Sequence, residues 1–256
     1  MQLSPGIVSA LGPEQGNEDR VALQFRTFPA FRFLGVECRT NQDETILITN
    51  ENENDESHLC DPLVRVSLVF SSPVLRSVIR DHIHWTPDLA GGRKDYNPWA
   101  GRRDYSQLRS AHHKDKTYRI RVPENLKAAD TYTIRTVSFT PEKTEDNPAP
   151  KTTTLQDEFG RDLPEEINLT FKTDHRRPNF ELVHHDAILE KETDSDVPLY
   201  VTNLESFSFD YDVLTARDKK TSQSKTAKVA DVQDVQFGVP LGVRDMLGVK
   251  SGVVYG

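Results

Sequence analysis

The sequence predicts an all-β protein made of antiparallel β-sandwiches in tandem. Short runs in which apolar and polar residues alternate with period two recur along the chain. Only 36% of its 256 residues are apolar while 28% are charged, which suits small modules with thin cores better than one massive core. Helical periodicity, by contrast, is rare. Alternation rich in β-branched and aromatic residues, broken by Pro, Gly, Asn and Asp, marks strands that bury one face and wet the other.

Taken in order, Arg20–Phe25 (RVALQF) sets Val21, Leu23 and Phe25 on one face and Ala22 and Gln24 on the other. Leu63–Phe70 (LVRVSLVF) sets Val64, Val66, Leu68 and Phe70 against Arg65 and Ser67. Tyr118–Val122, Tyr132–Val137, Ile167–Phe171 and Leu199–Thr202 repeat the pattern. Pro73–Asp81 (PVLRSVIRD) predicts two helical turns with Val74, Val78 and Ile79 inward, and Asn125–Ala129 a single turn. Asp88–Ser110, rich in Gly, Arg, Asp and aromatics, reads as a long surface excursion, and Glu142–Thr153 as a polar inter-strand loop.

One internal echo suggests the organisation. Arg20–Val36 and Glu166–Val183 both give an alternating strand, a basic residue with Thr, and a Pro-containing step into a new extended segment. The chain then divides near Phe28 and Arg177. Residues 1–28 become the tail of a preceding module, 29–177 a complete sandwich with a long surface insertion, and 178–256 the N-terminal part of a further sandwich. Gly238–Gly256 reads as a strand and loop cut off in mid-domain.

The charge balance, 32 Lys and Arg against 40 Asp and Glu for a net −8, argues against nucleic acid or an anionic membrane as the main partner. No stretch approaches the roughly 18 apolar residues of a membrane helix, and the first residues lack the basic head and apolar run of a signal peptide. Cys38 and Cys60 flank a very polar segment where strands begin or end. In an oxidising compartment they would close a loop of about 20 residues, worth on the order of 3 kcal/mol; the alternative is two unrelated buried thiols.

Leu68–Val74 (LVFSSPV), Thr131–Ile134 (TYTI) and Asp157–Thr173 (DEFGRDLPEEINLTFKT), in that order, resemble a bacterial Ig-like domain: F-S-x-P, then D-x-x-G-x-x-L, then a closing F-x-T strand. The run into Ala187–Tyr211 (AILEKETDSDVPLYVTNLESFSFDY) resembles the N-terminal region of large bacterial alpha-2-macroglobulin family proteins, where Ig-like modules precede macroglobulin domains. Cys60–Val74 and Thr86–Trp99 fit the same family. The resemblance spans roughly residues 20–256 and rests on the order of short motifs. It implies tandem Ig-like or fibronectin-like sandwiches in a periplasmic or extracellular endopeptidase trap, with room for a membrane anchor ahead of this segment. Its implied partners are the other domains of one large chain and, through the whole protein, target proteases. The family's thioester is missing here, because Cys38 is followed by RTNQ and Cys60 by DPLV, and no bait segment is recognisable. The expected role is therefore architectural, without cofactor or metal.

Other features invite chemistry. His82 and His84, two apart beside Asp81, would share a strand face, but nothing completes a zinc set. The pairs His112–His113 and His184–His185 would point to opposite faces of a strand. Asp157–Gly160 (DEFG) lacks every companion of the kinase metal motif and reads as a turn. The acidic runs Glu51–Glu56 and Glu190–Asp196 lack EF-hand spacing and read as solvated loops. Asn168–Thr170 is a formal glycosylation sequon inside a predicted strand. Trp85, Tyr96, Trp99 and Tyr105, with Arg93, Arg102 and Arg103 nearby, form a candidate contact patch or else cap an open end of the sandwich. As a contact patch they define the rival expectation, an extracellular adhesive or carbohydrate-binding module. No constellation for a hydrolase is present.

Overall fold

The computed structural model describes residues 2–3, 6, 8–9, 12–15, 20–21, 29–53, 55–100, 107–108, 116–145, 147–183, 186–189, 196–215, 220–248 and 252–255. Its architecture is all-β: several antiparallel sheets and two short helices among these residues. Four short strands come first, β1 (Gln2–Leu3), β2 (Val8–Ser9), β3 (Gly12–Gln15) and β4 (Arg20–Val21), pairing β1 with β4 and β2 with β3. The expected strand Arg20–Phe25 lies beyond Val21 outside the described residues.

The central sandwich follows: β5 (Phe33–Arg39), β6 (Thr45–Ile48), β7 (Leu59–Cys60), β8 (Ser67–Phe70), α1 (Arg76–His82), β9 (Ile83–Thr86), β10 (Gln107–Leu108), β11 (Tyr118–Arg121), β12 (Thr131–Thr136) and β13 (Asn168–Thr173). One sheet runs β10-β11-β8-β5-β6 and the other β7-β13-β12-β9. All pairings are antiparallel except β7 with β13. Alternation decides which residues meet: in β12, Tyr132 and Ile134 are buried while Thr131 and Arg135 are exposed. Inward residues of both sheets form one core, including Val36, Leu68, Phe70 and Ile120 from the first and Trp85, Ile134, Leu169 and Phe171 from the second. A disulfide joins Cys38 on β5 to Cys60 on β7, Cα–Cα 5.6 Å, and so ties the two sheets together across the core.

α1 begins three residues later than the sequence pattern suggests and lacks a capping side chain. Burial holds it in place: Ile79 is fully enclosed and Val78 packs at the core margin. The β-branched Ile83 then turns the chain into the alternating strand β9. Asn125–Ala129 contains no helix; it is a turn with Leu126 buried and Ala129 at positive φ. Leu63 and Val64 fall in a turn ahead of β8, and Leu63 is exposed.

The last unit holds β14 (Asn179–Leu182), β15 (Pro198–Thr202), β16 (Ser206–Thr215), β17 (Lys220–Lys228), β18 (Phe237–Pro240), α2 (Val243–Leu247) and β19 (Gly252–Tyr255). Its sheets run β14-β15-β18 and β17-β16-β19. A small core gathers Tyr211, Val213 and Met246 with Phe209, Leu241, Leu247 and Val254. Gly238–Gly256, expected to be a strand and loop, therefore supplies two strands and a helical turn, and both strands find partners.

Candidate functional site

The structure does not gather the predicted aromatic patch on one surface. Trp85 alternates inward on β9 and meets Phe171 edge-on, with centroids 6.3 Å apart. Trp99 is half-buried and packs against the same core, anchoring the excursion. Tyr96 is 38% exposed; the Arg93 guanidinium lies 3.9 Å above its ring and its hydroxyl donates to Glu124. Tyr105, Arg102 and Arg103 lie outside the described residues.

The paired-histidine expectation fails because the helix-to-strand junction falls between the two residues. His82, the last residue of α1, is buried with Nδ1 3.2 Å from the Val137 carbonyl and Nε2 3.3 Å from Thr153 Oγ1, while His84 is exposed. Asp81 is taken by Arg80. Among the described residues no three His, Cys, Asp or Glu side chains gather as metal ligands; His112–His113 and His184–His185 lie outside them. In the first acidic run, Glu53 accepts the Thr170 N–H and so ties the loop to β13, while Asp55 accepts from Ser57 within the loop. Of the second, only Asp196 is described; it accepts the N–H groups of Gly242 and Val243. Asn168 of the sequon is exposed on β13 and accepts from Arg135.

Two polar clusters stand out, one at each end of the central sandwich. At the entry end, two motifs 85 residues apart meet. Asp157, its side chain wholly enclosed, accepts the Phe159 and Arg161 N–H groups at 3.0 Å, the Ser72 hydroxyl at 2.9 Å and Arg161 Nε at 2.7 Å. Gly160, at φ +72°, completes the turn. Arg161 also donates to Ser72 Oγ and to the Pro29 carbonyl, and Ser71 donates to the Ala30 carbonyl. Burial pushes the Asp157 carboxyl up, but the Arg161 guanidinium and the donated hydrogen bonds outweigh it and hold the pKa below the usual carboxylate value.

At the exit end, residues 174–177 grip both neighbouring units, the outer two residues the central sandwich and the inner two the last unit. Asp174 accepts from Asn41 at 2.7 Å and donates its N–H to the Cys60 carbonyl. His175 Nδ1 lies 2.7 Å from Asp234 Oδ2, and Arg176 N–H donates to Asp234 Oδ1 at 2.7 Å. The Arg176 carbonyl accepts from Asn203 at 2.6 Å. Arg177 turns back: it donates to Asp61 at 3.0 Å, to both oxygens of Asp43 and to the Thr40 carbonyl. The Arg177 hydrogen bonds and charge lower the Asp43 pKa, and Asp43 in turn raises that of Arg177. Asp234 also ends below the usual value, because its bonds to Asn203, Arg176 and His175 outweigh desolvation.

Sequence reasoning placed a module boundary near Arg177 but missed the partners. Asp43, Asp61, Asn203 and Asp234 lie in ordinary turns, and only the fold brings them to residues 174–177. Turn-forming Asn and Asp at loop tips were the available signal. Comparisons with protein-family models, with curated proteins and with solved structures find no match for this chain, so the family resemblance rests on its motifs alone.

Proposed function

We propose that this chain is a structural scaffold segment of an alpha-2-macroglobulin-like endopeptidase inhibitor, a protease trap whose bait and reactive groups lie elsewhere in the parent protein. The observation that carries the reading is the joint at 174–177, where Asp174 and Arg177 bond to the sandwich before while the His175 side chain and Arg176 between them bond to the unit after. A loose linker would leave these groups to water. A joint satisfied on both sides holds two β units at a set spacing, which a trap needs if cleavage in one place is to move another. The motif order supplies the family, and its F-S-S-P and D-E-F-G-R elements bond to one another at the entry end. The Cys38–Cys60 disulfide fits the oxidising, periplasmic or extracellular setting that the family implies.

The chain alone, incubated with trypsin at equimolar amounts, is expected to leave peptide hydrolysis unchanged. Stoichiometric inhibition would overturn the scaffold role. The stacked Arg93 and Tyr96 pair favours a second reading, the adhesive or carbohydrate-binding module. Glycan-array binding abolished by Tyr96→Ala, with the fold intact, would transfer the function to that surface.

A further inference from the structure

The edge strand β14 is an exposed surface that carries apolar side chains. All four of its residues are exposed, although two carry apolar side chains on the core face of their sheet. Phe180 stands directly opposite Val201, which is fully buried, yet Phe180 itself is 67% exposed; Leu182 stands opposite buried Leu199 and is also exposed. Val183 and Ile188 are exposed as well. β14 is hydrogen-bonded on one side only, to β15, and among the described residues no strand pairs with its other edge. An uncovered edge of unpaired N–H and C=O groups beside exposed apolar side chains is a template for another strand.

The charge beside β14 also selects what that strand must carry. Glu181 projects from the opposite face of β14, where it accepts a long bond from Gln236 at 3.4 Å, and the sequence of residues 178–196 is net acidic, six carboxylates against Lys191. A complementary strand therefore alternates apolar residues, set beside Phe180 and Leu182, with basic residues set beside Glu181. A second copy of β14 cannot meet both demands at once. An antiparallel pair centred on Glu181 matches Phe180 with Leu182 but opposes two Glu181 carboxylates. A pair centred on Phe180 puts Leu182 against Pro178, which has no N–H to give. We propose that β14 is a docking edge for an extended peptide strand of another polypeptide, with alternating apolar and basic residues, added by β-augmentation. This inference stands independently of the scaffold reading.

The test uses the whole chain and a fluorescein-labelled, end-blocked peptide, Ser-Val-Lys-Val-Lys-Val-Ser, followed by fluorescence anisotropy. Saturable binding is expected, with amides 179–182 gaining protection from hydrogen exchange when the peptide is added. Glu181→Lys, Phe180→Ser and a peptide with Glu in place of each Lys are each expected to weaken binding by about tenfold or more. Phe180 and Glu181 are exposed, so both variants should keep the wild-type circular dichroism; if Phe180→Ser does not, Glu181→Lys carries the test. Absence of saturable binding, or binding indifferent to Glu181→Lys and to the peptide's charge, overturns the proposal. So does a concentration-dependent dimer, seen by sedimentation, that protects 179–182 without peptide, since that would make a second copy the occupant.

Discussion

Asn203 and Asp234 hold each other across two turns. The Asp234 N–H donates to Asn203 Oδ1 at 2.6 Å, the Asn203 amide donates back to Asp234 Oδ1 at 3.0 Å, and both residues sit at positive φ, 50° and 61°. Asn and Asp adopt this left-handed backbone more readily than other non-glycine residues. The pair forms the socket that receives Arg176, whose N–H and carbonyl are both taken. Removing Asp234 leaves the Arg176 N–H and an Asn203 donor without partners.

Asp234→Ala is accordingly expected to destabilise the last unit by about 1–3 kcal/mol, the usual cost of orphaned polar groups. It should also loosen the joint: small-angle scattering should show a broader distribution of intramolecular distances, with the strand signal in circular dichroism kept. An unchanged scattering profile would mean that Asp174 and Arg177 fix the joint by themselves.

At the entry end the check is pH. Asp157 titrates below its unfolded value, so its stabilising contribution is complete above about pH 4 and is lost as pH falls through the lowered folded pKa. Asp157→Asn should cost about 2 kcal/mol at neutral pH, where the carboxylate accepts four hydrogen bonds. In urea titrations the difference between wild type and variant should shrink steadily from pH 5 towards pH 2. A difference independent of pH would assign the effect to packing rather than to charge.

The disulfide closes a span of 22 residues between the two sheets of the sandwich. Replacing both cysteines by Ala is expected to lower stability by about 2–4 kcal/mol while the fold persists, because the rest of the core is untouched. Thermal unfolding of the double variant, set beside the reduced wild type, checks it; the two should agree closely.

Much of the fold was legible where one face of a strand is apolar. Tyr132 and Ile134 on β12 and Leu169 and Phe171 on β13 announce themselves by period two, and these strands lie where the alternation puts them. Two cysteines near strand ends left a disulfide and two separate thiols both open, and the fold decides for the disulfide. β16 and β17 were harder, because Lys220–Lys228 is almost wholly polar and becomes a strand only by pairing with β16. His82 and His84 misled because periodicity cannot show a helix handing over to a strand between them. Trp85 and Trp99 misled because an aromatic residue in a polar stretch looks the same whether it anchors a loop to the core or faces a partner. The partners of residues 174–177 were not legible, since they come from turns up to 137 residues away.

Gly35 gives the sharpest test of local geometry. It lies in β5 at φ +139°, a conformation that side chains strongly disfavour, where the register against β8 shifts between Phe33 and Gly35. A Cβ at this position would stand 2.3 Å from the Ile48 carbonyl oxygen and 3.2 Å from Leu47 Cδ1. The oxygen is backbone on the neighbouring strand β6, so it cannot swing aside as a side chain would. Relieving the clash means separating β5 from β6 beside Val36 and Ile48, both in the core. Backbone strain and overpacking each cost about 1–3 kcal/mol, so Gly35→Ala is expected to lose about 3 kcal/mol or more. Hydrogen exchange should show the loss first in Thr45–Ile48, the edge strand of that sheet, while β12 and β13 across the sandwich keep their protection. Uniform loss across both sheets would mean that the sandwich unfolds as one cooperative unit, with the bulge setting global rather than local stability.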